Sequence, residues 1–586
     1  MTSMMNSEPK GRSSAKGYVE HTAEFRRVYN LPRRAQGMPE WAVREMTEWL
    51  KQPEGTWTLL ESQAQAFREL YDLRGVFLAM GVGHGKTLVS LLASEVVGCE
   101  RPTLVVPACL RDKTIREAQE VYQEQFKIPS IGLHNDRRAK LQVISYEQLG
   151  RAPFADWLER RDPDMLIFDE VHKIKNRSAA VTRRVLRFMR SRSPTRDIVV
   201  VAMSGTMLGR SIKDCAHIMS MCLGPEFCPL PQIPEELDTW ARAVDREVER
   251  RPDFGALKLL QKETADPPDL ESIRAALSRR ISDTPGVVYT ATASVEASIY
   301  MHFLDVYAEG SRERVDEMKQ TRTLGHDDAL LPQDIWRHSR EMALGFFYEW
   351  DPPAPPDWLA ARKAWRRFVR EMIGDSPDES DHDSELVVAN AVDAYERGRM
   401  AGTQGLDAQM ERGTRDLFAW REIKDAFKPN NVARWFSDTA LQQIAASLKH
   451  PTLVWVEHRA VGERLSEILG VPYFAKKGFD RNGHFVQDWD PSKHAVVSTA
   501  SVTTGFNLQA WGYNLIVTPM PGGLVWQQMM GRTHRQGQTR DEVHFTATIG
   551  GSVNRRDYER AVADAQFQQT MQQEPQKLAL ADEVTG

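Results

Sequence analysis

An apolar run, Val76-Phe77-Leu78-Ala79, passes directly into Met80-Gly81-Val82-Gly83-His84-Gly85-Lys86-Thr87, and a second apolar stretch follows over 88–97. A strand, a glycine-rich turn and a helix in that order leave the backbone few options. The N–H groups of the turn converge in front of the helix N-terminus, where the helix dipole also favours an anion. The spacing predicts a cradle for a nucleoside triphosphate. In it Gly83 and Gly85 let the backbone approach the phosphates, Lys86 reaches the β- and γ-phosphates, and the Thr87 hydroxyl ligates Mg²⁺. Met80 stands where the pattern G-x-x-x-x-G-K-[ST] opens with glycine, so the strict pattern fails at one position. The alternative is a strand-to-helix turn that holds no ligand.

A second element fits the same chemistry. Asp169-Glu170-Val171-His172 follows the apolar run 165–168. An acidic pair at the end of a buried strand serves ATP hydrolysis if Asp169 holds Mg²⁺, through water, and Glu170 orients or deprotonates the attacking water. The competing reading is a plain helix-capping pair after a strand.

At 586 residues the chain exceeds one ordinary core, and its 41% hydrophobic content supplies two to four domains. Its 76 basic and 81 acidic residues leave a net charge of −5. A nucleic-acid partner would therefore be met by a local cleft and not by a globally basic surface. No apolar run approaches the roughly 18 residues that span a bilayer, and the first twenty residues hold no apolar signal core. The expected compartment is the cytoplasm, without membrane contact. Of the five cysteines, Cys215, Cys222 and Cys228 cluster without the spacing of a zinc knuckle, so buried packing is expected of them.

Short β-rich runs alternate with helical stretches in two regions, at 76–79, 103–107, 142–145, 165–168 and 198–202, and again at 452–456, 495–498, 514–518 and 543–549. This alternation predicts an α/β protein with two parallel-sheet lobes in tandem. The expected division is a helical N-terminal extension over 1–55, an ATP-binding lobe over 56–228, a mainly helical insertion over 229–440, and a second lobe with a C-terminal helix over 441–586. Within the insertion a proline run, 352–356, reads as a stiff connector and the acidic run 375–385 as a solvated loop. Between them Arg362, Lys363, Arg366, Arg367 and Arg370 fall among Trp358, Trp365 and Phe368, which predicts an amphipathic helix over a small core, or else a helix that tracks a phosphate backbone.

Three blocks complete the pattern: Asp169-Glu170-Val171-His172-Lys173-Ile174-Lys175-Asn176, then Met203-Ser204-Gly205-Thr206, then Gln528-Met529-Met530-Gly531-Arg532-Thr533-His534-Arg535-Gln536-Gly537-Gln538. In this order they resemble the superfamily-two helicases, and most of all the Swi/Snf-type double-stranded DNA translocases, over roughly residues 57–565. The resemblance implies two RecA-like lobes that bind ATP and Mg²⁺ between them. It implies that Gln63 reads adenine, a task its donor and acceptor amide suits. Ser204 and Thr206 would couple the acidic pair to the second lobe. Arg532 and Arg535 would be inserted against the γ-phosphate, so hydrolysis requires the lobes to close. Gly505 and Gln528 fall in the segments that face the nucleotide from the second lobe.

The same resemblance places backbone-gripping contacts at Pro107 and Arg111, at Ser145, and at Ser498, Thr499 and Thr503. Such contacts are sequence-tolerant and salt-sensitive. Departures from the family pattern are Met80, Met207 after Gly205-Thr206, and Val502-Thr503-Thr504 in place of a glycine-rich stretch. None removes a group that hydrolysis requires, and together they suggest a compact bacterial or bacteriophage member. The expected partner of this monomer is DNA, duplex before single-stranded, with RNA left open. Whether strands are separated stays undecided by family resemblance. The competing functions are an ATP-switched nucleic-acid scaffold and the motor subunit of a restriction or defence complex.

Overall fold

The computed structural model describes residues 17–34, 37–81, 84–192, 198–205, 210–246, 248, 250–261, 268–290, 295, 297–326, 330–374, 382–502, 505–572 and 575–584. Two seven-stranded, all-parallel sheets organise the chain. The first contains β1 (Gly75–Ala79), β2 (Pro102–Val106), β3 (Ile131–Leu133), β4 (Leu141–Ser145), β5 (Met165–Asp169), β6 (Val199–Ser204) and β7 (Val287–Tyr289), in the order β3-β4-β2-β5-β6-β1-β7. β1, β2, β4, β5 and β6 are buried along their whole length. Helices cover both faces, which is why β1 and β5 read as nearly continuous apolar runs and not as alternations.

The second sheet contains β8 (Ser298–Leu304) and, after an antiparallel ribbon of β9 (Phe346–Trp350) and β10 (Asn431–Trp435), β11 (Thr452–Val456), β12 (Tyr473–Phe474), β13 (Ala495–Ser498), β14 (Tyr513–Ile516), β15 (Glu542–Thr548) and β16 (Asp582–Glu583). Its order is β12-β13-β11-β14-β15-β8-β16. The two RecA-like parallel-sheet lobes expected from the alternation are thus present, and each also takes a strand from the stretch read as a helical insertion. β7 joins the edge of the first sheet, and β8 pairs with β15 over seven residues of the second.

The rest of that stretch is helical. Helix Pro356–Ile373 buries Trp358, Trp365, Phe368 and Val369 and leaves Lys363, Arg366, Arg367 and Arg370 exposed, the amphipathic arrangement. With helices Glu385–Met400 and Ala408–Ile423 it encloses a separate small core. This three-helix unit is pinned to the first lobe by Arg184, whose Nε and Nη2 donate to the two Asp383 oxygens at 3.0 Å each. Arg183 adds donations to the Ile373 and Gly374 carbonyls at 2.9 and 2.8 Å. Most of the acidic run, 375–381, lies outside the described residues.

The N-terminal helix and the end of the long C-terminal helix tie into the first lobe, while β16 returns to the second sheet. Phe25 and Val28 of helix Ala23–Asn30 enter the first-lobe core. Helix Gly551–Gln572 begins on the second lobe, where Tyr558, Ala561 and Ala565 are buried. It ends with Phe567 and Met571 in the core of the first. Cys215, Cys222 and Cys228 are all buried in that first-lobe core, as packing residues. No helix among the described residues is long and apolar enough to cross a membrane.

Candidate active site

Strand order sets the site. β5, β6 and β1 are adjacent and parallel, with Asp169 level with Met203 and Ala79 level with Ser204. The turn after β1, the acidic pair after β5 and the Ser204-Gly205 turn after β6 therefore leave the sheet side by side at its C-terminal edge, where α/β sheets bind ligands. A Cβ on Gly205 would lie 3.3 Å from the Met80 carbonyl oxygen and 3.5 Å from Lys86 Nζ, so the three turns touch.

Gly85 takes φ +67°, and helix Lys86–Val97 starts on the next residue. Lys86 Nζ donates to the carbonyls of Met80 at 2.9 Å and Gly81 at 3.1 Å, folding the ammonium over the turn. Val82 and Gly83 lie outside the described residues. Gln63 is buried under this loop. Its Oε1 accepts from the Leu60 N–H at 2.9 Å, and its Nε2 donates to the carbonyls of His84 at 3.2 Å and Gly85 at 3.3 Å. A Cβ on Gly85 would collide with that amide, so Gly85 is required by Gln63 as well as by its φ. Both ends of the Gln63 amide are bonded to backbone, so the side chain braces the loop in this arrangement.

Glu170 adopts φ +57°, an uncommon conformation for a residue with a Cβ and one that clusters at functional sites. There its Oε2 accepts from Ser204 Oγ at 3.2 Å and lies 3.2 Å from His172 Nδ1, which is itself 3.1 Å from Ser204 Oγ. Burial raises the Glu170 carboxyl, but the His172 hydrogen bond, the Lys86 charge and the Ser204 hydroxyl bring it below the usual carboxylate range. Asp169 moves the other way. Burial and then the Glu170 charge push its carboxyl up, with Lys86 opposing them. The two environments thus favour opposite protonation states, an arrangement found where two carboxyls divide a task. Tyr146, buried, fixes the strand end by donating to the Asp169 carbonyl at 2.8 Å. Asp169 Oδ1 is buried with no hydrogen-bond partner, and a divalent cation would supply what that oxygen lacks. Thr87, half-buried in the first turn of the following helix, is the hydroxyl that the sequence pattern assigns to the cation. The residues present therefore fit Mg²⁺.

From the second lobe, helix Gly523–Thr533 carries Gln528, half-buried, and Arg532. Arg532 is 8% exposed and donates to the Phe506 carbonyl at 3.3 Å. Burial lowers its guanidinium to about 10, and the Glu170 carboxylate of the other lobe acts against that shift. The field of Glu170 thus reaches Arg532 across the cleft. Arg535 follows the helix and donates to Asn507 Oδ1. Gly505, at φ +82°, meets the first lobe directly: its carbonyl accepts from Lys113 Nζ at 2.8 Å, and a Cβ there would press on Leu110. Lys477 and Asp112, 3.5 Å apart, add a second contact between the lobes.

Ser204 stands beside the acidic pair, as the sequence predicts, whereas Thr206 lies outside the described residues. The residues predicted to grip a backbone divide. Arg111 is partly exposed, held by Asp112 and by Gln148 Oε1 at 3.3 Å. Pro107, Ser145, Ser498 and Thr499 are buried. Ser145 Oγ caps helix Tyr146–Leu149 by accepting from the Gln148 N–H at 3.1 Å, and Thr499 Oγ1 donates to the Val456 carbonyl at 3.1 Å. Those hydroxyls hold the turns together, since a buried strand-end hydroxyl is satisfied internally. Thr503 lies outside the described residues. Sequence reasoning quoted His172 beside the acidic pair without a role, and it quoted Tyr146 with Ser145 in a backbone-gripping segment and not as the support of the Asp169 strand end. The only local signal for either was its place beside a strand end.

Residues 56–208 match the family described as Type III restriction enzyme, res subunit. No curated protein matches the chain. Among solved structures the chain is similar to the Sulfolobus solfataricus SWI2/SNF2 ATPase core in complex with dsDNA. That likeness has 12% identity, covers 85% of this chain and 89% of that one, and has a TM-score of 0.33. The chain thus joins a first lobe that matches this family model to a second parallel-sheet lobe, with the helicase-like motifs lying in order at the cleft between them.

Proposed function

We propose that the chain is a DNA-stimulated ATPase that couples hydrolysis of Mg·ATP between its lobes to movement along duplex DNA. The observation that carries this reading is the opposed set of groups at the cleft: Lys86, Asp169 and Glu170 on one lobe, and Arg532 within the field of Glu170 on the other. Lys86 leaves the loop carbonyls for the phosphates. Glu170, held ionised by Ser204 and His172, orients and deprotonates the attacking water. Arg532 and Arg535 stabilise the charge that develops on the transferred phosphoryl group. Asp169 and Thr87 hold the cation, and bound Mg²⁺ supplies charge neutralisation at the phosphate oxygens. The arginines come from a separate lobe, so lobe closure and hydrolysis are coupled, and the Lys113 and Lys477 contacts are the ones that a change in closure breaks and remakes.

Steady-state ATP hydrolysis at fixed salt, with no nucleic acid, duplex DNA, single-stranded DNA and RNA in turn, tests the proposal, with Glu170→Gln as the blank. Stimulation by duplex alone is expected. Stimulation mainly by single strands would replace the translocase with a helicase, and equal rates in all four would leave no DNA-driven motor. The family match over 56–208 favours a second reading, the motor subunit of a restriction or defence complex. In that case DNA cleavage appears only with a partner chain present and disappears in Glu170→Gln.

A further inference from the structure

Away from the nucleotide cleft, β15 ends at Thr548 and the chain turns through Gly550 into the 22-residue helix Gly551–Gln572. The turn is packed against the backbone that follows β8. A Cβ on Gly550 would collide with the Val306 carbonyl, and Gly551, at φ +76°, would press its own on the Tyr307 ring. The helix thereby begins at a fixed place, on the wall of a cavity of about 270 Å³ whose other walls are helices Ser311–Thr321 and Pro332–Ala343. Gly551, Ser552 and Val553 line it, and among the described residues none outside the helix accepts a hydrogen bond from their N–H groups. Open first-turn N–H groups at the positive end of a long helix attract an anion.

A second observation is independent of the helix end. Asn554, 1% exposed, also lines the cavity, and its Oδ1 is buried with no hydrogen-bond partner. As placed, Oδ1 is an acceptor that calls for a donor, such as the hydroxyl of a protonated phosphate; the opposite amide rotamer presents Nδ2, and in that rotamer the side chain serves an oxyanion. Two cations stand on the opposite wall. Arg312 is exposed and rests on the Tyr307 ring at 5.2 Å, with no carboxylate partner among the described residues, and Lys319 lies 3.9 Å from Asp316, the one carboxylate among the described residues of the lining. One acid against two bases, a helix N-terminus, the Ser552 hydroxyl and an unsatisfied amide suit a tetrahedral oxyanion better than a metal ion. β15 and β8 are parallel neighbours, so the cavity opens at the C-terminal edge of the second sheet, the edge that also carries the Ser498-Thr499 turn.

We propose that this cavity is a second phosphate-binding site, separate from the nucleotide cleft, which takes a phosphate group from a nucleic-acid backbone or from a small phosphate ester. Inorganic phosphate is the probe. Equilibrium dialysis of the full-length Lys86→Ala chain at constant ionic strength removes the main contribution of the nucleotide cleft. On that background the account expects about one phosphate bound per chain, weakened about tenfold or more by Arg312→Gln with Lys319→Gln, and likewise by Asn554→Leu. The two cations are exposed, so their replacement leaves the fold in place and keeps the test valid if the Asn554 variant misfolds. No phosphate uptake, or uptake that the Arg312/Lys319 substitutions leave unchanged, overturns the site. Duplex DNA then separates the sources. If the backbone is the occupant, the same double substitution, with Lys86 restored, weakens duplex binding and reduces the salt slope by about one. If a small phosphate ester is the occupant, duplex binding is unchanged while phosphate uptake is still lost. The dialysis contains no nucleic acid, so its result does not depend on the proposed motor activity.

Discussion

Phe567→Ala tests whether the C-terminal helix locks the two lobes together. Phe567 is 2% exposed and sits in the core of the first lobe, with the Arg274 guanidinium 4.8 Å above its ring, while the start of the same helix is buried in the second lobe. Removing a fully buried phenylalanine costs about 3–5 kcal/mol, because the transfer energy of the ring is lost and the surrounding core closes only in part. Spread over a lobe of ordinary size, this lowers the melting temperature of the first lobe by about 6–20 °C. The neighbouring Gln566 is exposed, so Gln566→Ala on the same helix changes stability by about 0.5 kcal/mol or less. Differential scanning calorimetry of both variants, with limited proteolysis at the helix end, reads the effect. Equal melting profiles for Phe567→Ala and Gln566→Ala would refute the docking of this helix in the first lobe.

Three further outcomes follow from the structure. Asp383→Ala strands Arg184, whose side chain is 1% exposed, and is expected to cost about 3–5 kcal/mol; urea unfolding should show the three-helix unit released from the first lobe. His534 is held down to about 4 by burial, then by the nearby Lys577 charge, against an ordinary value of 6.5. Its folded form resists protonation, so stability is full above about pH 6.5 and is lost as the pH falls toward 4. The loss is about 2 kcal/mol at pH 5, and thermal melts should show it vanish in His534→Gln. Glu170→Gln should keep ATP affinity within about threefold while turnover falls by at least about 10²-fold, since the residue acts on the attacking water and not on the bound nucleotide; a fluorescent ATP analogue and phosphate release measure the two separately.

The strands that were legible are those buried on both faces. The run 76–79 and its counterparts at 165–168 and 453–456 carry unbroken apolar residues because helices cover the sheets on both sides. The edges were not. β3 and β7 are three residues each, and β8 mixes Tyr300 and His302 with apolar neighbours, so its stretch reads as helix-rich linker until β15, far along the chain, pairs with it. In the site, the phosphate loop and acidic pair were readable because their chemistry lies in adjacent residues. Ser204 beside the acidic pair was also read, through the family resemblance, but the place of His172 between Glu170 and Ser204 was not, because it exists only through the register that sets Asp169 beside Met203 across β5 and β6. The buried hydroxyls of Ser145 and Thr499 show the limit of motif transfer: residue type carries over, while the direction a side chain faces is set by packing.

The central claim is that hydrolysis needs both lobes, and Arg535→Ala tests it most directly. Arg535 lies on the second lobe, outside helix Gly523–Thr533, and its side chain donates to Asn507 of the same lobe, so its loss spares the first-lobe cradle. Duplex-stimulated turnover of Arg535→Ala, measured beside its affinity for ATP, should fall by about 10³-fold or more while ATP affinity stays within about tenfold and the melting temperature is unchanged. Turnover within about tenfold of the unsubstituted chain would contradict a site completed across the cleft.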